Sequence, residues 1–112
     1  MTIVTMHEVD EKKLLDVMAE ASVVGSVTLN VYHDGNHMYY TLEGVHRAEA
    51  AKRLGIPLIL IERDWEDMVE CDLQDIYLED GRATVQDIVE YAYSSVNGGV
   101  YSENDFVNVE VI

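Results

Sequence analysis

The sequence predicts an α/β (α+β) domain in which a small mixed sheet carries packed helices. Short apolar or alternating stretches of strand length take turns with stretches of helical period. Asp34-Gly35 joins two strand-like stretches, a hairpin signal that pairs neighbours antiparallel. Residues 58–61, Leu-Ile-Leu-Ile, form a continuous apolar run, as expected of a strand buried on both faces.

Each element can be justified in turn. Residues 3–6 read as a short strand. Asp10 suits an N-cap, because its carboxylate can accept from the first free amides of a helix over residues 11–21. Leu14, Leu15, Val17, Met18 and Ala21 would form the apolar side of that helix. Residues 28–32 and 37–42 are the hairpin strands around His33-Asp34-Gly35-Asn36. A second helix is expected over 46–54, stopped by Gly55 ahead of Pro57. Beyond residue 62, Trp65, Met68, Val69, Leu73, Ile76 and Tyr77 recur at helical spacing between acids, which predicts one or two amphipathic helices. Thr84-Val85-Gln86-Asp87 has the spacing of a capping box, with Asp replacing the usual Glu or Gln. The helix it opens would bury Val85, Ile88, Val89 and Ala92. Asn97-Gly98-Gly99 reads as a turn. Val107, Val109 and Val111 alternate with Asn108 and Glu110, so a strand should follow, pairing within the sheet or with a second copy in a homo-oligomer.

A chain of 112 residues fits a single domain, here divided into a core over 1–62 and an acidic extension over 63–112. No apolar run approaches the roughly 20 residues of a membrane span. The opening MTIVTMHEVDEKK lacks the order of a signal peptide. The lone cysteine, Cys71, leaves no internal disulfide, and a cytoplasmic location is expected. Acidic neighbours should raise the Cys71 thiol's pKa and keep it inert.

The net charge of −15 is unevenly spread. Residues 1–61 carry 8 acids against 5 bases, whereas 62–112 carry 14 acids against 2. Such a chain repels polyanions at long range, which argues against non-specific nucleic-acid binding. The near-neutral first half can still hold a single nucleotide in a local pocket.

The turn Glu43-Gly44-Val45-His46-Arg47 is the strongest functional signal. Glycine between a strand and a helix lets backbone approach a ligand closely. The first amides of the helix lack intrahelical partners and, with the positive end of the helix dipole, suit a phosphate. His46 can donate to it, and Arg47 can fork two of its oxygens. Glu43 can serve as a general base or orient a metal. Lys52 and Arg53 read as solvated helix charges, and His33, Asp34 and His37 as surface residues of the hairpin. Tyr39, Tyr40, Tyr91, Tyr93 and Tyr101 read as packing residues at the edge of the core.

YYTLEGVHRAEAAKRLGIPLILIE, residues 39–62, resembles the core of the ParB/sulfiredoxin superfamily. Its members run from a strand through an acidic residue or glycine, a glycine and a His/Arg pair into an alanine-rich helix, a glycine and an apolar strand. The opening Ile3-Val4-Thr5-Met6-His7-Glu8-Val9-Asp10 is similar too, so the likeness covers residues 3–62. The resemblance implies a nucleotide phosphate held by Gly44, Val45, His46 and Arg47. It places Glu43 where some relatives carry a catalytic or metal-proximal acid. Activities in the superfamily include sulfinic acid reduction, CTP hydrolysis, amino-acid phosphorylation and nuclease or NTPase functions. The reductases carry a cysteine immediately before His-Arg, and Val45 stands there. The segregation proteins also carry a helix-turn-helix domain and a dimerisation tail, for which this chain has no room.

Three functional expectations follow. The first is a nucleotide-binding domain with NTPase or phosphotransfer activity, using a nucleoside triphosphate with Mg²⁺. The second is a non-catalytic acidic protein that mimics nucleic acid and occupies a basic protein partner, as phage and mobile-element inhibitors do. The third, a ParB-like nuclease, is disfavoured by the charge.

Overall fold

The caps written in the sequence are made. The structure, a computed structural model, describes residues 1–70, 82–93 and 98–112. In chain order its elements are β1 (Thr2–Val4), α1 (Glu11–Val24), β2 (Val27–His33), β3 (Met38–Thr41), α2 (Val45–Leu54), β4 (Leu58–Glu62), β5 (Met68–Glu70), β6 (Arg82–Thr84), α3 (Val85–Ala92), β7 (Val100–Ser102) and β8 (Val109–Val111), with a 3-10 turn at Glu103–Asp105. Asp10 caps α1, its carboxylate accepting from the Lys12 amide at 2.9 Å and the Lys13 amide at 3.4 Å. Thr84 caps α3 by accepting from the Asp87 amide at 3.1 Å. In the hairpin, Asp34 accepts from the Asn36 amide at 2.8 Å, and β3 starts only after His37, whose φ is 76°.

Mixed helices and strands make this an α+β fold. The six-stranded mixed sheet runs β7-β1-β3-β2-β4-β8. Pairs β1/β3, β2/β4 and β4/β8 are parallel, and pairs β2/β3 and β1/β7 are antiparallel. The terminal strand β8 therefore lies within the sheet, with Val109 opposite Leu58 and Val111 opposite Leu60. A separate two-stranded ribbon pairs β5 with β6.

Alternation along the strands divides the interior into two cores. Ile3, Leu29, Val31, Leu58 and Leu60 meet Leu14 and Ala21 of α1 and Ala48 and Ala51 of α2. Alanine side chains let α2 lie close to its neighbours. A smaller core gathers Leu42, Val69, Ala83, Val85 and Ile88, with Tyr32 and Trp65 packed against it.

Several expectations are corrected. Leu15, expected on the apolar side of α1, is 71% exposed. Leu14, Val17, Met18 and Ala21 already complete the inward stripe, and Leu15 sits about 100° further round from Leu14. In β4, Leu58 and Leu60 are buried but Ile59 and Ile61 only half-buried, so only one face is fully covered. Met68 and Val69, expected on a helix, form β5, where exposed Met68 and buried Val69 point to opposite sides. Short apolar runs do not discriminate helix from strand, and pairing with β6 decides this one. Cys71, Asp72, Leu73, Asp75, Ile76, Tyr77 and Asn97 lie outside the described residues. No helix among the described residues is long and apolar enough to cross a membrane.

Candidate phosphate-binding turn

After β3, the Leu42 amide donates to the Asn30 carbonyl, and Glu43 and Gly44 lead directly into α2. Gly44 has φ 70° and ψ 38°, the left-handed region that side-chain-bearing residues avoid. A Cβ there would sit 2.4 Å from Leu29 Cδ2 and 3.0 Å from an Arg47 nitrogen. The close approach that requires glycine is thus to the core and to Arg47. No side chain caps α2, and its first backbone bond runs from the Ala48 amide to the Gly44 carbonyl. The amides of Val45, His46 and Arg47 are therefore left over by the helix.

The side chains of the turn are already engaged. Arg47 Nη1 donates to the Thr28 carbonyl at 3.1 Å, and its Nη2 lies 3.4 Å from Glu43 Oε1. That oxygen also accepts from the Asn30 backbone amide at 3.4 Å and from Asn30 Nδ2 at 3.1 Å. Asn30 Oδ1 in turn accepts from Arg63 Nε at 2.8 Å. Cation, amide, carboxylate and cation form one chain of fixed polarity, from the end of β4 across β2 to α2.

His46 Nε2 accepts from the Asp10 backbone amide at 2.9 Å. Since a backbone amide can only donate, Nε2 carries no proton and Nδ1 does. Burial pushes the His46 pKa down, and His7 and Lys13 push in the same direction against the opposing pull of Asp10. The His7 ring stands 5.7 Å away, with its Nδ1 donating to the Glu8 carbonyl at 2.8 Å.

A cavity of about 330 Å³ opens at the turn, lined by Gly44, Val45, His46 and Arg47, with Met6 and His7 on one side and Val17 and Glu20 on another. A second, of about 270 Å³, lies against Val17, Ala21, Val24 and Val27, and Glu20 and Arg47 border both. The first is near the lower end of the size usual for small-molecule sites. Among the described residues Glu20 is the one carboxylate in its lining, and it opposes an anion there. A larger apolar cavity of about 550 Å³, against Val4, Tyr40, Val89 and Tyr93, contains none of the turn residues.

Other candidates fall elsewhere. His33 stacks on Tyr39 at 4.2 Å and faces Glu62 at 3.5 Å, while Asp34 shapes its turn. Among the described residues no group of three His, Cys, Asp or Glu is placed to hold a metal. Arg53 binds Glu11 through two nitrogens, at 2.8 and 3.0 Å, and Glu49 at 3.0 Å. It is exposed, as expected, and also joins α1 to α2. Lys52 lies 5.5 Å from the Tyr101 ring, and the Tyr101 hydroxyl donates to Glu49 at 2.7 Å. Tyr40 packs edge-on against Tyr93 at 4.9 Å, and among the described residues no tyrosine lines the cavity at the turn.

Sequence reasoning missed Asn30 and Arg63. Asn30 sits at an outward position of an alternating strand, where a polar residue is ordinary, and Arg63 lies among acids. Glu62, Asp64, Glu66, Asp87, Glu90, Glu103, Asp105 and Glu110 are all exposed. No known protein family matches the chain, and neither a curated protein nor a solved structure matches it.

Proposed function

We propose that this domain binds a nucleotide through its phosphates at the start of α2. The observation that carries the reading is the uncapped helix start at Gly44, opening on a cavity bordered by His46 and Arg47. Amides of Val45, His46 and Arg47 would cradle the phosphate, and the helix dipole favours its charge. Arg47 reaches the ligand by exchanging one anion, the Glu43 carboxylate, for another. Mg²⁺ would arrive with a triphosphate, held chiefly by phosphate oxygens and water. The exchange leaves the Glu43 carboxylate beside the phosphate, where it would act as general base in NTP hydrolysis or phosphotransfer. Calorimetric titration of ATP, CTP and GTP with Mg²⁺ tests this. Wild type should bind at least one of them, Arg47→Ala none, and Glu43→Gln should bind without turnover. Equal binding by wild type and Arg47→Ala, or no binding to wild type, would sink the reading.

A second reading rests on the exposed acids of the chain after residue 61. Eight of them, Glu62, Asp64, Glu66, Asp87, Glu90, Glu103, Asp105 and Glu110, stand exposed among the described residues, and such acids complement a basic groove on a protein partner. Its capture of basic proteins should weaken steeply with salt, and a salt-insensitive or empty capture removes it. A metal-dependent nuclease ranks last, because the same charge repels its substrate.

A further inference from the structure

Asp10 does two jobs at once. Its carboxylate caps α1, and its backbone amide donates across to His46 Nε2 at the first turn of α2. Only a neutral imidazole can accept that bond. A doubly protonated ring carries N–H at both nitrogens, so the 2.9 Å contact would set two donors against each other.

We propose that His46 is a proton-operated clasp between the starts of α1 and α2, closed while its imidazole is neutral and released when Nε2 takes a proton. The charged groups around it set where that happens. His7 and Glu8 come from the connector after β1, Asp10, Lys13 and Glu20 from α1, and Glu43 and Arg47 from its own turn and helix. Lys13, Arg47, a charged His7 and the positive end of α2 oppose a second proton, whereas Asp10, Glu8, Glu20 and Glu43 favour it. Burial adds to the opposition, and the pKa of His46 is lowered on balance. The clasp therefore stabilises the fold above the ordinary histidine range of about 6.5 and is lost as pH falls through the lower folded-state value. Met6 and His7 wall the cavity beside His46, so the clasp stands at the edge of that cavity. None of this depends on a phosphate ligand.

The test is an NMR titration of the full chain from about pH 8 to about pH 5, following the Asp10 amide and the His46 ring nitrogens. At the upper pH, His46 should carry its proton on Nδ1. The Asp10 amide should shift with the same midpoint as the His46 ring and exchange faster below it. In His46→Gln, whose side-chain oxygen still accepts, the Asp10 transition should vanish. In His7→Gln it should persist with a raised midpoint, since one like charge is gone. A proton on Nε2 at the upper pH overturns the clasp. So does an Asp10 transition that survives in His46→Gln or disappears in His7→Gln.

Discussion

The guanidinium of Arg47 is held against Glu43, one nitrogen 3.4 Å from Oε1, while its other Nη donates to the Thr28 carbonyl. The residue best suited to fork a phosphate is thus turned back on the acid four positions earlier. Asn30 steadies that acid, and Arg63 steadies Asn30.

Removing Asn30 should therefore loosen the whole chain. Asn30→Ala strips Glu43 of its side-chain donor and Arg63 of its acceptor in a partly buried setting. The expected loss is about 1–2 kcal/mol in chemical denaturation. The half-buried Glu43–Arg47 pair, with Arg47 open to solvent screening, contributes less, about 0.5 kcal/mol, and a double-mutant cycle separates the two. A loss for Asn30→Ala no larger than that for an exposed residue would mean that the chain is not formed.

Two glycines with similar backbone angles should respond differently to alanine. Gly25 has φ 84° and open space where a Cβ would stand, so Gly25→Ala should cost about 1 kcal/mol. Gly44→Ala adds a clash with Leu29 and should cost about 3 kcal/mol. Urea midpoints compare them, and equal shifts would show that the turn does not press on Leu29.

Tyr93 and Tyr101 should titrate above the ordinary tyrosine value. Burial raises both, and Tyr101 also donates to the Glu49 carboxylate. A raised folded-state pKa means stability is intact below about pH 10 and is lost as pH rises beyond it. Ultraviolet titration should find these phenols late, coupled to alkaline unfolding. The Tyr93 hydroxyl lies 2.9 Å from the Val4 carbonyl and 2.7 Å from that of Thr41. Tyr93→Phe should therefore cost about 1–2 kcal/mol.

Phosphate seated on α2 should raise the pKa of His46, because an anion favours the imidazolium. The shift is read from the His46 ring in buffers with and without inorganic phosphate. An unchanged midpoint at saturating phosphate would place the anion elsewhere.

Local features of the sequence determined local structure. Asp10 and Thr84 as caps, the Asp34-Gly35 hairpin, the stop at Gly55 and the strand at Leu58 each depend on neighbours a few residues away. The helix start behind Gly44 was legible for the same reason. The engagement of its side chains was not, because their partners stand far off along the chain. Asn30 and Arg63 are 33 positions apart, and Asp10 and His46 are 36. Only the tertiary structure brought β8 beside β4, made a strand of Met68–Glu70, turned Leu15 to solvent and gave Arg47 the Thr28 carbonyl. Periodicity reports which residues share a face. Which surface that face meets is decided when distant segments compete for the same buried space and the same hydrogen bonds.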